Sequence, residues 1–405
     1  MEDVKYSMRF SLAANYDSAL IPEISRYPVS EIYGKFPADG INSGRPRYMA
    51  TPLSRKQLRH YIQVLDSHGI AFNYLLNGSC MGNREWTKAW QKKIMKLLDT
   101  LGEMGVKRLT ISTPFLLELV KKRFPEFKVR IGIYAQVDTP RRARYWEDIG
   151  ADCITLESFS INRNFERLND IRAAVDCELQ LIANHVCLPN CPMQVYHQNG
   201  FAHASDKLDV LYIDYCILRC SRTRLADPSL FIKSCWIRPE DLHVYEEMGY
   251  TNFKLLERGI PSSDLLKRVV QYSTRSSGDN LAELLLSYGF KKPHKKERFW
   301  ALRHFFKPWQ INPRKLMPLY ELARQQGMML PKQENPVAID SRKIPVDFIE
   351  GFRDKDCASL DCSECGYCED IAKAAVSVSP EFREQSLKRF AEIEETMASG
   401  DLWSV

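Results

Sequence analysis

The residue pattern predicts an α/β fold, a (β/α)8 TIM-like barrel with a small C-terminal cysteine-rich extension. Three observations predict it. Short apolar runs and longer amphipathic stretches alternate eight times between Met8 and about Trp236, the pattern of a parallel sheet covered by helices. Gly69, Gly105 and Gly150 each fall just past a helix-like stretch, where a left-handed cap wants glycine. An open doubly wound sheet is the alternative. Against it, the first strand is followed by Ala13-Ala14-Asn15-Tyr16, with no Gly-rich dinucleotide turn.

Taken in order, the strands are expected at Phe10–Ala14, Val29–Tyr33, Ala71–Leu76, Arg108–Ser112, Val129–Tyr134, Cys153–Leu156, Leu179–Ala183 and Leu230–Lys233. The helices between them are expected at Ser54–His68, Arg84–Met104, Phe115–Arg123, Pro140–Ile149 and Asn164–Val175. Arg84–Met104 carries Trp86, Trp90, Ile94, Leu97, Leu98 and Leu101 at helical spacing. Beyond Trp236, Arg238–Met248 reads as a helix opened by Pro239-Glu240-Asp241, and Tyr250–Glu257 as a further strand. Further helices are expected at Leu265–Tyr272, Leu281–Tyr288 and Pro380–Met397. The domain reading is a barrel over 1–270, a helical basic and aromatic segment with linker over 271–340, and a small cysteine-rich unit over 341–405. In a barrel the chemistry sits at the carboxyl ends of the strands. There the pattern places Asn15, Tyr33, Asn77, Thr113, Gln136, Glu157, Asn184, His185 and Lys233.

A net charge of +6 with pI near 8.6 permits an anionic partner without demanding one. The start Met1-Glu2-Asp3-Val4-Lys5 lacks the apolar core of a signal peptide, and no stretch reads as a membrane helix. The expected compartment is therefore the cytoplasm, where twelve cysteines are poor candidates for disulfides. Eight of the twelve lie in two clusters of four, which favours metal ligation. Cys80, Cys153, Cys177 and Cys235 remain, each readable as a small buried apolar residue.

The first cluster lies in an unusual stretch. Leu179–Ser205 holds 27 residues without one Asp, Glu, Lys or Arg, in a chain that is 27% charged. It contains Cys187-x3-Cys191, and Cys216-x3-Cys220 follows; the four thiols are expected around one metal centre. His185, His197 and His203 are substitutes, and zinc is the alternative metal. Gln194 and Thr223 stand where a Cys-x3-Cys-x2-Cys motif would need its third thiol, which argues against radical chemistry with S-adenosylmethionine. The second cluster packs Cys357, Cys362, Cys365 and Cys368 into twelve residues, a spacing suited to a [4Fe–4S] cube. Zinc knuckles are usually separated by a longer gap. This tail reads as a small unit that a metal could fold on its own. Lys291–Lys315 carries nine Lys or Arg against one acid with Phe299, Trp300 and Trp309 interleaved, so it suits either RNA phosphates with stacking bases or a helix packed on the barrel. There is no His-Glu-x-x-His, phosphate loop or Gly-x-Ser-x-Gly elbow.

The run Glu178-Leu-Gln-Leu-Ile-Ala-Asn-His-Val-Cys187-Leu-Pro-Asn-Cys191-Pro192, then Asp214-Tyr-Cys216 and Phe231-Ile-Lys-Ser-Cys-Trp-Ile-Arg-Pro-Glu-Asp241, resembles the collagenase-like U32 peptidase family over roughly residues 8–270. The resemblance implies a barrel with a [4Fe–4S] cluster on four cysteines and an oxygen-independent hydroxylation, with prephenate as oxygen donor. Its substrate would be a biosynthetic intermediate, a peptide or RNA. Mapped residue by residue, Cys187 and Cys191 are cluster ligands, Cys216 and Cys220 follow, and Cys235 competes with them. Asn184, His185, Glu157 and Lys233 are the candidate catalytic residues. Two [4Fe–4S] clusters are expected, the tail one receiving electrons from a donor protein. The other readings are a peptidase, from the family's name, and a zinc-stapled RNA- or partner-binding protein.

Overall fold

The computed structural model describes residues 8–404, apart from 38, 48–50, 206–211, 257–259, 286–305, 326–335 and 358. Eight parallel strands close a barrel in sequence order. They are β1 Arg9–Ala13, β2 Val29–Gly34, β3 Ala71–Leu76, β4 Arg108–Ile111, β5 Lys128–Ile131, β6 Cys153–Thr155, β7 Glu178–Ile182 and β8 Asn252–Leu255. Phe253 of β8 lies opposite both Phe10 of β1 and Leu181 of β7, which seals the ring. The first seven strands fall where the apolar runs predict them.

The eighth does not. Leu230–Lys233 forms one turn of helix, and the closing strand is the run beginning at Asn252. A four-residue apolar run fits a buried helical turn as well as a strand. Here Asp227 decides it, accepting from Ser229 N (3.0 Å) and Ser229 Oγ (2.6 Å) to start the turn. Phe231 and Ile232 are both fully buried, without the alternation of a half-exposed strand.

Alternation along the strands sorts the side chains. Phe10, Leu12, Ile32, Phe72, Leu109, Val129, Ile154, Leu181 and Phe253 join the large core shared with the helices. The enclosing helices supply matching faces: Trp90, Ile94, Leu97, Leu98 and Leu101 from Lys88–Glu103 are all buried. The barrel interior instead carries a polar layer. Ser11 Oγ donates to Glu31 (3.1 Å), Thr110 to Asn73 (2.7 Å), Thr155 to Gln180 (2.9 Å), and Gln180 to Asn252 (2.8 Å). The fully buried Glu31 is paired with Arg130 and, at 3.1 Å, with Arg108. Burial pushes the Glu31 pKa up, but the two guanidinium groups outweigh it and hold the carboxyl below its ordinary value. Next to this polar layer, Ala13, Tyr33 and Leu75 form a small separate apolar cluster.

The C-terminal region is no separate unit. It begins before residue 341: β9 Val337–Ile339 pairs antiparallel with β10 Val376–Val378. Its buried residues Phe348, Phe352, Ile371, Phe382 and Phe390 belong to the same core as the barrel's. Phe348 stacks on Trp236 (5.3 Å between centroids, 17°), and Arg238 donates to the carbonyls of Pro345 and Val346, both at 3.0 Å. The last helix, Pro380–Ala398, lies against the helix Tyr215–Ala226. Glu394 pairs with Arg219 (2.6 Å) and Arg222, and Arg383 donates to the carbonyls of Leu225 (2.6 Å) and Ala226 (2.8 Å). Most of the basic aromatic segment, 291–305, lies outside the described residues. Among the described residues, no helix is long and apolar enough to cross a membrane.

Candidate metal centre at the barrel mouth

β7 delivers Asn184, His185 and Cys187 to the carboxyl face, and the chain then turns at Asn190 (φ +48°) to present Cys191. The helix Tyr215–Ala226 brings Cys216 and Cys220 to the same place. Asp214 caps that helix by accepting from Ile217 N (3.0 Å). None of the four thiols is in a disulfide. Burial raises the pKa of Cys187 well above the usual thiol range, and the charges of Cys220, Cys191 and Glu157 add to it while Arg224 opposes. Burial likewise pushes Cys216 up to about 12, with Asp214, Cys191 and Cys220 adding to it. Cys220 is raised by burial despite Arg224. Cys191 thus acts on each of the other three thiols, and Cys220 on both Cys187 and Cys216.

Arg224, 7% exposed, is the cation of this nest, and no motif marks it in the sequence. It donates to the carbonyl of Val186 and, at 3.6 Å, to Cys220 Sγ. The only sequence sign is its place one helical turn beyond Cys220. Cys235 is buried with Sγ 3.5 Å from Phe159 O, and the thiols acting on it are Cys357 and Cys368. It lies beside the mouth turn, since Asn190 N donates to the same Phe159 carbonyl at 3.0 Å.

The candidate catalytic residues separate. Glu157 is buried and accepts from Phe159 N (2.5 Å), Ser160 N (3.0 Å) and Ser160 Oγ (2.6 Å). Burial outweighs these bonds, so its pKa is raised and it can hold a proton. His185 lies between Ser158 Oγ (2.5 Å from Nδ1) and Cys187 Sγ (3.1 Å from Nε2). Burial, reinforced by Arg224, lowers its pKa to about 4, so the ring is neutral at pH 7. Asn184 is a clasp: Nδ2 donates to the carbonyls of Leu256 (2.7 Å) and Leu284 (3.1 Å), and Oδ1 accepts from Leu256 N (2.7 Å). Lys233 is displaced with its misassigned strand. It is not at a strand end but pairs with Glu369 at 2.9 Å, beside the tail. The lysine at the end of the true eighth strand is Lys254, buried with Nζ 4.1 Å from the Tyr33 ring centroid. His197 Nε2 meets Asp214 Oδ2 at 3.0 Å, and together with Cys216 they offer donor atoms within 4.8 Å of one another. His203 is exposed on the preceding helix.

Fold and site together define a (β/α)8 barrel with a four-thiol nest at its mouth. Residues 38–189 match the model of Peptidase family U32. A Methanocaldococcus jannaschii protein named as an uncharacterized protease is 28% identical over 348 residues, which is 86% of this chain and 89% of that one. The tRNA hydroxylation protein P of Escherichia coli K12 is 23% identical over 150 residues, 36% of this chain and 32% of that one. The solved structure of a U32 peptidase aligns with TM-score 0.48 and 21% identity, over 64% of this chain and 97% of that one.

Proposed function

We propose that this chain is an iron–sulfur enzyme of the reducing cytoplasm, carrying out an oxygen-independent hydroxylation or related redox modification of a biosynthetic intermediate, a peptide or RNA. The observation that carries the reading is the gathering of Cys187, Cys191, Cys216 and Cys220, from two separate segments, around Arg224 at the barrel mouth. The donor set fits a four-thiolate cluster. When bound, a cluster supplies one-electron chemistry at the strand ends where substrates reach. Arg224 offsets the charge of four thiolates, Glu157 can hold or release a proton beside them, and neutral His185 orients Cys187. The distant likeness to a tRNA hydroxylation protein supports RNA among the candidate substrates.

Anaerobic purification with iron, sulfide and zinc assays tests this. Iron and sulfide in equal amounts are expected, and stoichiometric zinc with no sulfide would overturn the reading in favour of a zinc-stapled binding protein.

A peptidase is the second reading, favoured by the Ser158–His185–Cys187 line and by the name of the archaeal relative. Electrostatics weigh against it. A thiol pushed up by burial beside a neutral imidazole is not the thiolate–imidazolium pair of a cysteine nucleophile. Gelatin hydrolysis that survives Cys187→Ala and Cys191→Ala without metal would favour a peptidase over the redox enzyme.

A further inference from the structure

The tail thiols lie against the barrel, in a seat assembled from both regions. The short helix Cys362–Cys365 starts at Asp361, which accepts from Ser363 N (2.8 Å) and Ser363 Oγ (2.7 Å). Gly366 then reverses the chain at φ +65°, so that Cys368 enters the first turn of the next helix, Tyr367–Ala375. Tyr367 stacks on Phe348 (6.2 Å, 13°) and donates to its carbonyl at 2.9 Å. Phe348 in turn stacks on Trp236. The Arg163 guanidinium lies over Trp236, Phe348 and Phe352 at 4.4, 5.0 and 4.7 Å, and donates to the carbonyls of Ile232 (2.7 Å) and Trp236 (3.1 Å). Lys233, its side chain 10% exposed, reaches Glu369 in the same helix turn as Cys368. Cys235 completes the barrel side, buried against Phe159 O.

We propose that Cys357, Cys362, Cys365 and Cys368 hold a second iron–sulfur cluster, separate from the mouth nest, in a seat whose barrel side is formed by Arg163, Lys233 and Cys235. Four thiolates around a cluster carry net negative charge, and Arg163 and Lys233 are two largely buried cations that offset it. The charges of Cys357, Cys362 and Cys365 all act on Cys368, and that of Arg163 acts on both Cys357 and Cys368. Cys357, Cys362 and Cys365 are exposed, so a cluster can assemble from solution after the chain has folded. Cys235 is placed in this seat as a neighbour, its sulfur 3.5 Å from Phe159 O. The ion pair of Lys233 with Glu369 thus serves this seat.

The test uses the full chain, purified without oxygen, with iron, sulfide and zinc counted per chain. The double substitution C362S/C365S is expected to remove about four irons and about four sulfides, one cube's worth. Iron unchanged in that variant, or zinc in place of iron at the tail, overturns the proposal. K233M probes the seat without touching a ligand. Reduction adds negative charge, so losing this cation should lower the midpoint potential of the tail signal in a redox titration, with iron content kept. A midpoint unchanged in K233M overturns the barrel's part in the seat. The two centres fail independently. If all the iron is lost with C362S/C365S, the tail centre stands and the mouth reading falls; if all is lost with C187S/C191S, the reverse holds.

Discussion

The mouth set takes Cys187 and Cys191 from the turn after β7 and Cys216 and Cys220 from a helix, with 24 residues between the pairs. The tail set draws all four thiols from twelve consecutive residues. Cys216 is buried, whereas three of the tail thiols are exposed. The mouth relies on Arg224 from within its own helix, while the tail relies on Arg163 and Lys233 from another region of the chain. A set gathered from distant segments needs the barrel before it exists. A set written into one short run makes its own turn and needs the barrel only as a wall. The difference teaches that close spacing does not imply independence: the tail's aromatic stack continues into Trp236 and Arg163.

The largest effect should come from severing the two regions. A chain stopped after residue 335 loses Phe348, Phe352 and Phe390 from the shared core and uncovers Trp236. It is expected to aggregate or to lose its cooperative thermal transition, read by light scattering and calorimetry. A soluble, cooperatively melting truncation would restore the tail to an independent unit.

Next comes the mouth. C187S/C191S should abolish turnover under every reductant while tail iron persists, measured by iron content and activity on one sample. Turnover that survives would show that these thiols are not the reacting centre.

Arg224→Met tests whether the mouth's internal cation matters as a ligand's supporting partner would. Metal affinity of the mouth set should fall about 10–100-fold, with the tail set unchanged, by competition with a chelator. Equal loss from both sets would mean that the substitution acts through the fold.

The barrel floor offers a control far from either set. Glu31→Gln removes one partner of a buried ion pair and should cost about 3–5 kcal/mol at pH 7 in denaturant unfolding. The folded pKa of Glu31 lies below its ordinary value. Its contribution is therefore complete above the ordinary carboxylate range and is lost as pH falls through the folded value, so wild type and variant should converge in acid. The smallest effect belongs to Cys235→Ser, which should leave the iron of both sets unaltered because this thiol is placed in the tail seat as a neighbour. Loss of mouth iron in that variant would return Cys235 to the first ligand set.

Local periodicity carried the barrel. β1 to β7 were legible because apolar alternation and helix spacing are properties of a few consecutive residues. Both cysteine motifs were legible for the same reason, as was the turn after β7 that carries His185 and Cys187. The resemblance to the U32 family was read from the first of those motifs, and residues 38–189 match that family's model. Tertiary structure decided the rest. A short apolar run at 230–233 became helix because of the Asp227 turn, and the barrel closed on Asn252–Leu255 because Phe253 meets Phe10 and Leu181 there. That closure moved Lys233 to the tail and put Lys254 in its place. Asn184 became a clasp because Leu256 and Leu284 came to it. Arg224 and Arg163 gained roles from partners up to 189 residues away, as the stack on Phe352 shows. A sequence states its local spacings directly. It does not state which distant carbonyl, ring or thiol will stand within a few ångströms, because packing of the whole chain sets that distance.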